Sequence, residues 1–159
     1  MLYLSKIEAS YQLKQILPTS PLFHATDAAV QILAHGEGVR AGKGSRFGAG
    51  NYESISMTRD LSLLLDRRFG HTILVFDRNE LKTKFKIKPH QYQPSGWDDE
   101  KEERVLAEHI SSSYIKAMIM LIKPHKDKKT GKVEYVDNWP QTVKYIYLDR
   151  TTKKIEVYN

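Results

Sequence analysis

The amino-acid sequence predicts an α+β fold, on three observations. Helix signals cluster early: Ser5-Lys6-Ile7-Glu8 has the form of a capping box, and Thr26 or Asp27, and later Asp60, stand as N-caps before short apolar stretches. Strand signals concentrate late, as β-branched, aromatic and alternating runs between Thr72 and Tyr158. No repeat or linker divides the 159 residues, so one domain is expected over 1–159, with 1–21 as an accessory N-terminal helix.

Leu4, Ile7, Tyr11 and Leu17 give the first helix a loose apolar stripe, and Pro18 and Pro21 end it. Leu22-Phe23-His24-Ala25 reads as a short strand running into a second helix, carried by Ala28 to Leu33 and closed by Gly36. Arg40 to Gly50 holds four glycines with Arg40, Lys43 and Arg46 among them, the composition of a basic loop or lid. Ile55 to Thr58 is expected as a strand, Leu61 to Leu65 as a helix ending at Gly70, and Thr72 to Phe76 as a buried strand.

From Leu81 the alternation is strict, with Leu81, Thr83, Phe85 and Ile87 opposed to Lys82, Lys84, Lys86 and Lys88, which predicts one half-exposed strand. Further strands are expected at Arg104 to Ala107, Ile115 to Ile122, Val143 to Leu148 and Lys154 to Tyr158. Asp149-Arg150-Thr151-Thr152 joins the last two as a hairpin, and Lys126 to Lys132 forms a lysine-rich turn around Thr130-Gly131.

Composition narrows the chemistry. The chain has no cysteine, which excludes disulfides, thiolate zinc sites and cysteine nucleophiles and agrees with a cytoplasmic protein. The histidines show no metal-ligand spacing, so no metal site is expected, and Gly42-Lys43-Gly44-Ser45 breaks the order of a phosphate-binding P-loop. The opening residues lack a signal peptide's basic and apolar regions, and the run from Ala117 to Ile122 is too short to span a bilayer. A soluble monomer with no membrane partner is expected. A formal charge of +6 and a pI near 9.4 favour polyanionic partners, with marked salt dependence.

Within this basic chain, Trp97-Asp98-Asp99-Glu100-Lys101-Glu102-Glu103-Arg104-Val105-Leu106 places five carboxylates in six positions. A solvated loop leading into a strand accounts for the charges alone. Three segments in order give the run another meaning. Phe23-His24-Ala25-Thr26 with Ala29-Val30-Gln31-Ile32-Leu33 and a glycine resembles the opening of the histidine-containing branch of ADP-ribosyltransferases. Ser54-Ile55-Ser56-Met57-Thr58-Arg59-Asp60 is similar to the Ser-x-Ser/Thr strand of the toxin-like branch. Glu102-Glu103-Arg104-Val105-Leu106 resembles the glutamate that opens a later strand.

The resemblance covers roughly Leu22 to Ile122 and is to small phage-type and bacterial members. It implies a split antiparallel β-sheet core with helices on the flanks, NAD as co-substrate, and transfer of ADP-ribose to a protein or nucleic-acid acceptor in the cytoplasm, the host's if the chain is phage-encoded. Two departures stand out: Ala25 replaces the family's glycine, and Lys101 stands two residues before Glu103 where the toxin-like branch has Glu or Gln. If Glu102 is catalytic, Glu100 fills that slot. Glu103 is the favoured catalytic residue, because Glu103-Arg104-Val105-Leu106 fits carboxylate-x-apolar-apolar and alternation puts Glu103 and Val105 on one strand face; Glu102 is its rival.

As the resemblance implies, His24 bonds a ribose hydroxyl, the backbone at Ala25 clasps the nicotinamide amide, and Thr26 contacts the adenosine side. Ser56 and Thr58 brace the ribose or the glutamate, and Tyr52 or Tyr92 stacks on the leaving base. A core histidine and ordinary strand polar residues are the plain alternatives for His24, Ser56 and Thr58. Lys82, Lys84, Lys86, Lys88 and Arg46 are candidates for holding the acceptor, with lysines about 7 Å apart along a strand; edge-strand lysines also discourage sheet association. Tyr92, Trp97 and Tyr114 are candidate stacking platforms. Two other functions compete: an NAD-dependent RNA 2'-phosphotransferase, for which Arg40, Arg46 and Arg59 would have to gather near His24, and a basic nucleic-acid-binding module without catalysis.

Overall fold

A strand without polar alternates can be covered on both faces, and Thr72–Asp77 (β6) is such a strand, its four central residues fully buried. The computed structural model describes residues 12–42, 46–47, 52–65, 70–90, 102–132 and 139–158. Before β6 come β1 (Pro21–Thr26), β2 (Val39–Arg40), β3 (Arg46–Phe47), β4 (Tyr52–Glu53) and β5 (Ile55–Thr58). After it come β7 (Lys86–His90), β8 (Glu102–Leu106), β9 (His109–Ile110), β10 (Ile115–Met120), β11 (Lys144–Leu148) and β12 (Ile155–Tyr158). The described helical segments are residues 12–16 (α1), Leu61–Leu64 (α2) and Arg78–Lys82 (α3), with a π-helical turn at Val30–Ala34 and a 3-10 turn at Ser112–Tyr114.

Eight strands form one sheet in the order β12-β11-β10-β6-β1-β5-β8-β7. All neighbours run antiparallel except β10 and β11, so the fold is α+β with a large, mostly antiparallel central sheet. Alternation along the strands builds two cores. Leu22, Leu74, Phe76, Met118 and Tyr145 face one side, where Ile32, Leu33 and Trp139 cover them. Phe23, Ile73, Val75, Ile119 and Ile146 face the other, under Leu13 of α1 and Leu64 of α2. Burying the larger of these side chains stabilises by about 1.5–3 kcal/mol each. Among the described residues, no helix is long and apolar enough to cross a membrane.

The helix expected after His24 is a single π-helical turn, and Gly36 follows it at φ +68°. Arg40 to Gly50, expected as a loop, contains β3, which pairs with β4. The capping-box residues of the first helix lie outside the described residues, as do Asp98, Asp99 and Glu100.

The predicted strand from Leu81 to Lys88 is corrected. Asp77 accepts a hydrogen bond from the Asn79 amide and caps α3, and Phe85 N donates to Leu81 O at 2.8 Å. Leu81 and Phe85 are four apart, a spacing that satisfies a helical turn as well as a strand face. Only Lys86 and Lys88 stand on β7, at the edge of the sheet; Lys82 ends α3 and Lys84 follows it, all four exposed.

Candidate active site

The sheet is loosest at the junction of β1 with β5. Six residue pairs register β1 on β6, from Pro21↔Asp77 to Thr26↔Thr72, whereas Phe23↔Thr58 is the single pair registering β1 on β5. Past that pair the strands part, and the His24 ring bridges them, its Nδ1 2.8 Å from the Ser56 carbonyl oxygen. A carbonyl only accepts, so Nδ1 carries the proton and Nε2 of the neutral ring is an acceptor. At the far end of β1, Gly70 has φ +127°, and a Cβ there would stand 3.0 Å from the Thr26 carbonyl. That close approach ties the start of β6 to the end of β1.

Register decides which glutamate joins Ser56 on the cavity face, and the parting of β1 from β5 lets His24 line the same cavity. β5 and β8 pair Ser56↔Arg104, Met57↔Glu103 and Thr58↔Glu102, so Ser56, Thr58 and Glu102 share one face and Met57, Glu103 and Val105 the other. Ser56 Oγ donates to Glu102 Oε1 at 2.7 Å. Arg104 Nε lies 2.5 Å from the same oxygen, misaligned for a hydrogen bond and therefore an ion-pair contact. Both contacts use Oε1. His24, Ala25, Ser56, Thr58 and Glu102 line a cavity of about 160 Å³, with Phe23, Leu63 and Leu64 as apolar wall.

Glu103, favoured from the sequence, points away from this cavity. It is 3% exposed and accepts from Arg78 Nε at 2.7 Å on the opposite face. The alternation with Val105 is as read, but a buried valine marks the core face rather than the cleft. Thr58 is buried and its Oγ1 accepts from the Asp60 amide, while Thr26 Oγ1 accepts from the Ala28 amide, so both hydroxyls stabilise turns. Thr26 does not line the cavity. Tyr114 packs edge-on against Phe85, a rim contact rather than a stacking platform. The backbones of Arg46 and Tyr52 pair with Glu53 and Phe47; their side chains, with Tyr92 and Trp97, lie outside the described residues. Arg78 and Arg104 were missed as partners of the two glutamates; Arg104 adjoins them in sequence, whereas nothing local marks Arg78.

Desolvation in the seam lowers the His24 pKa below its ordinary 6.5, and the hydrogen bond with Ser56 opposes this only in part. His24 is therefore neutral at pH 7 and costs no stability there. As pH falls below 6.5 the unfolded chain takes up a proton that the folded one resists, so stability declines until the folded-state pKa is passed. Denaturant titrations between pH 7 and 5 are expected to show a steeper loss for wild type than for His24→Gln. Equal slopes would contradict the desolvated histidine.

No family model, curated protein or solved structure matches this chain.

Proposed function

We propose that this protein transfers ADP-ribose from NAD to a macromolecular acceptor with release of nicotinamide, and that Glu102 is the catalytic carboxylate. The observation that carries this reading is the meeting of His24, Ser56 and Glu102, from three neighbouring strands, around one small cavity. The parting of β1 and β5 within a mostly antiparallel sheet supports the split-sheet, ADP-ribosyltransferase-like fold expected from the sequence. A volume near 160 Å³ suits one ring system, so the cavity holds the reacting end of the dinucleotide.

The bond between nicotinamide and ribose C1 breaks with its electron pair going to the pyridinium nitrogen, which leaves as neutral nicotinamide. Positive charge then spreads over C1 and the ring oxygen. Glu102, with Oε1 fixed by Ser56, stabilises that charge more strongly in the transition state than in the ground state. His24 Nε2 accepts from a ribose hydroxyl and sets the sugar against the carboxylate. The acceptor forms the new bond to C1 and gives up its proton, to Glu102 or to water.

Incubation with NAD labelled in the adenylate portion, in cell extract, is expected to yield free nicotinamide and a labelled macromolecule, whose class mass spectrometry then reads. A wild-type protein saturated with NAD that releases no nicotinamide would sink the proposal. Loss of an RNA 2'-phosphate accompanying nicotinamide release would assign the 2'-phosphotransferase instead.

A further inference from the structure

Arginine suits oxyanions because its planar fork presents paired N–H donors to two oxygens at once. Arg59 and Arg78, distant in sequence, line one cavity of about 400 Å³ with Ser20, Pro21 and Glu103. It forms where four neighbouring strands stop: β1 begins at Pro21, β5 ends at Thr58, β6 ends at Asp77 and β8 begins at Glu102. Buried Glu103 engages Arg78 through Nε, which leaves the terminal N–H groups of that guanidinium uncommitted among the described residues. Arg59 is exposed and has no hydrogen-bond or ion-pair partner among the described residues. Two guanidinium groups against one carboxylate leave the cavity net positive.

We propose that Arg59 and Arg78 form a phosphate-binding subsite for the acceptor, and that the acceptor is a single-stranded nucleic acid; this rests on the transferase reading above. Phe23, Thr58 and Glu102 stand level across three strands through the pairs Phe23↔Thr58 and Thr58↔Glu102. His24, Ala25 and Ser56, which take the sugar of NAD, lie on one side of that level; Ser20, Arg59 and Arg78 lie on the other. An acceptor held by the arginines therefore approaches from the strand ends, on the side of that level away from the dinucleotide.

A third cavity, of about 580 Å³, adjoins both: it shares Phe23 with the catalytic cavity and Pro21 and Arg59 with the arginine cavity. Leu13, Leu17 and Leu61 give it an apolar wall on which an unpaired base can lie while its phosphate meets Arg59. A base held in a duplex is stacked and cannot enter such a space without being extruded, which favours single strands.

The test is binding without turnover: labelled single-stranded DNA and RNA oligonucleotides, and separately NAD, titrated into the full chain. Arg59→Gln is expected to weaken oligonucleotide binding about tenfold and to reduce the salt slope by about 0.7, with NAD affinity changed less than about twofold. Arg59→Lys should fall between, because it keeps the charge and loses the fork. Arg78→Gln combined with Glu103→Gln, which leaves no stranded carboxylate, should shift binding in the same direction. Oligonucleotide binding indifferent to Arg59, or lost wholly on replacing Lys86 and Lys88, would overturn the subsite. Loss of NAD affinity by the same factor would also overturn it, by assigning the arginines to the diphosphate of the dinucleotide. If wild type releases no nicotinamide yet binds oligonucleotide through Arg59, the transferase reading falls and the phosphate site stands.

Discussion

Glu102→Gln is expected to reduce nicotinamide release roughly 100- to 1,000-fold, the scale on which removing one preorganised electrostatic group acts. The substitution keeps size and keeps an oxygen to accept from Ser56 Oγ, so the 2.7 Å contact that orients the side chain survives. What disappears is the negative charge that the proposed mechanism sets against the sugar. The substitution also removes the counter-charge of Arg104, so some loss of thermal stability is expected and activity is compared per folded molecule. Glu103→Gln provides the comparison: per folded molecule it should release nicotinamide at least tenfold faster than Glu102→Gln. The opposite ranking would return the catalytic role to Glu103 and contradict the register of β5 on β8 as the determinant of the site.

Arg78→Ala is expected to cost about 3 kcal/mol of folding stability, because it strands a carboxylate that is 3% exposed. The Arg78 side chain is itself 25% exposed, so water relieves part of the penalty and places the effect at the lower end for buried pairs. For a domain of this size the midpoint of thermal unfolding should fall by roughly 6–12 °C. Adding Glu103→Gln to Arg78→Ala removes the stranded charge and should recover a large part of the loss, which a double-mutant cycle measures as coupling. Additive effects would mean that the 2.7 Å contact contributes nothing beyond the separate side chains.

The elements that read correctly from sequence were those whose neighbours in the chain dictate them. Thr72 to Phe76 has no polar alternate, so it is a buried strand wherever it is placed, and Asp149 to Thr152 leads back along the chain to pair β12 with β11. Leu81 to Lys88 failed because Leu81 and Phe85 fit both periods; the Asp77 cap and the complete burial of Leu81 settled it as helix then turn. Lysines spaced for one strand face consequently divide between α3, a turn and the edge strand β7.

His24, Ser56 and the glutamate pair were legible as a set, since each lies in a short segment of recognisable order. Sequence alone determined that a histidine strand, a serine strand and a glutamate strand occur in that sequence within a basic, cysteine-free α+β chain. Which of two adjacent glutamates meets Ser56 at the cavity was decided by the tertiary structure, because neighbouring residues on a strand face opposite ways and the pairing Thr58↔Glu102 fixes the phase; His24 joins them where β1 and β5 part. The same holds for Arg59 and Arg78: they become neighbours because β5 and β6 flank β1 and end at the same edge of the sheet, a juxtaposition set by strand order rather than by local spacing.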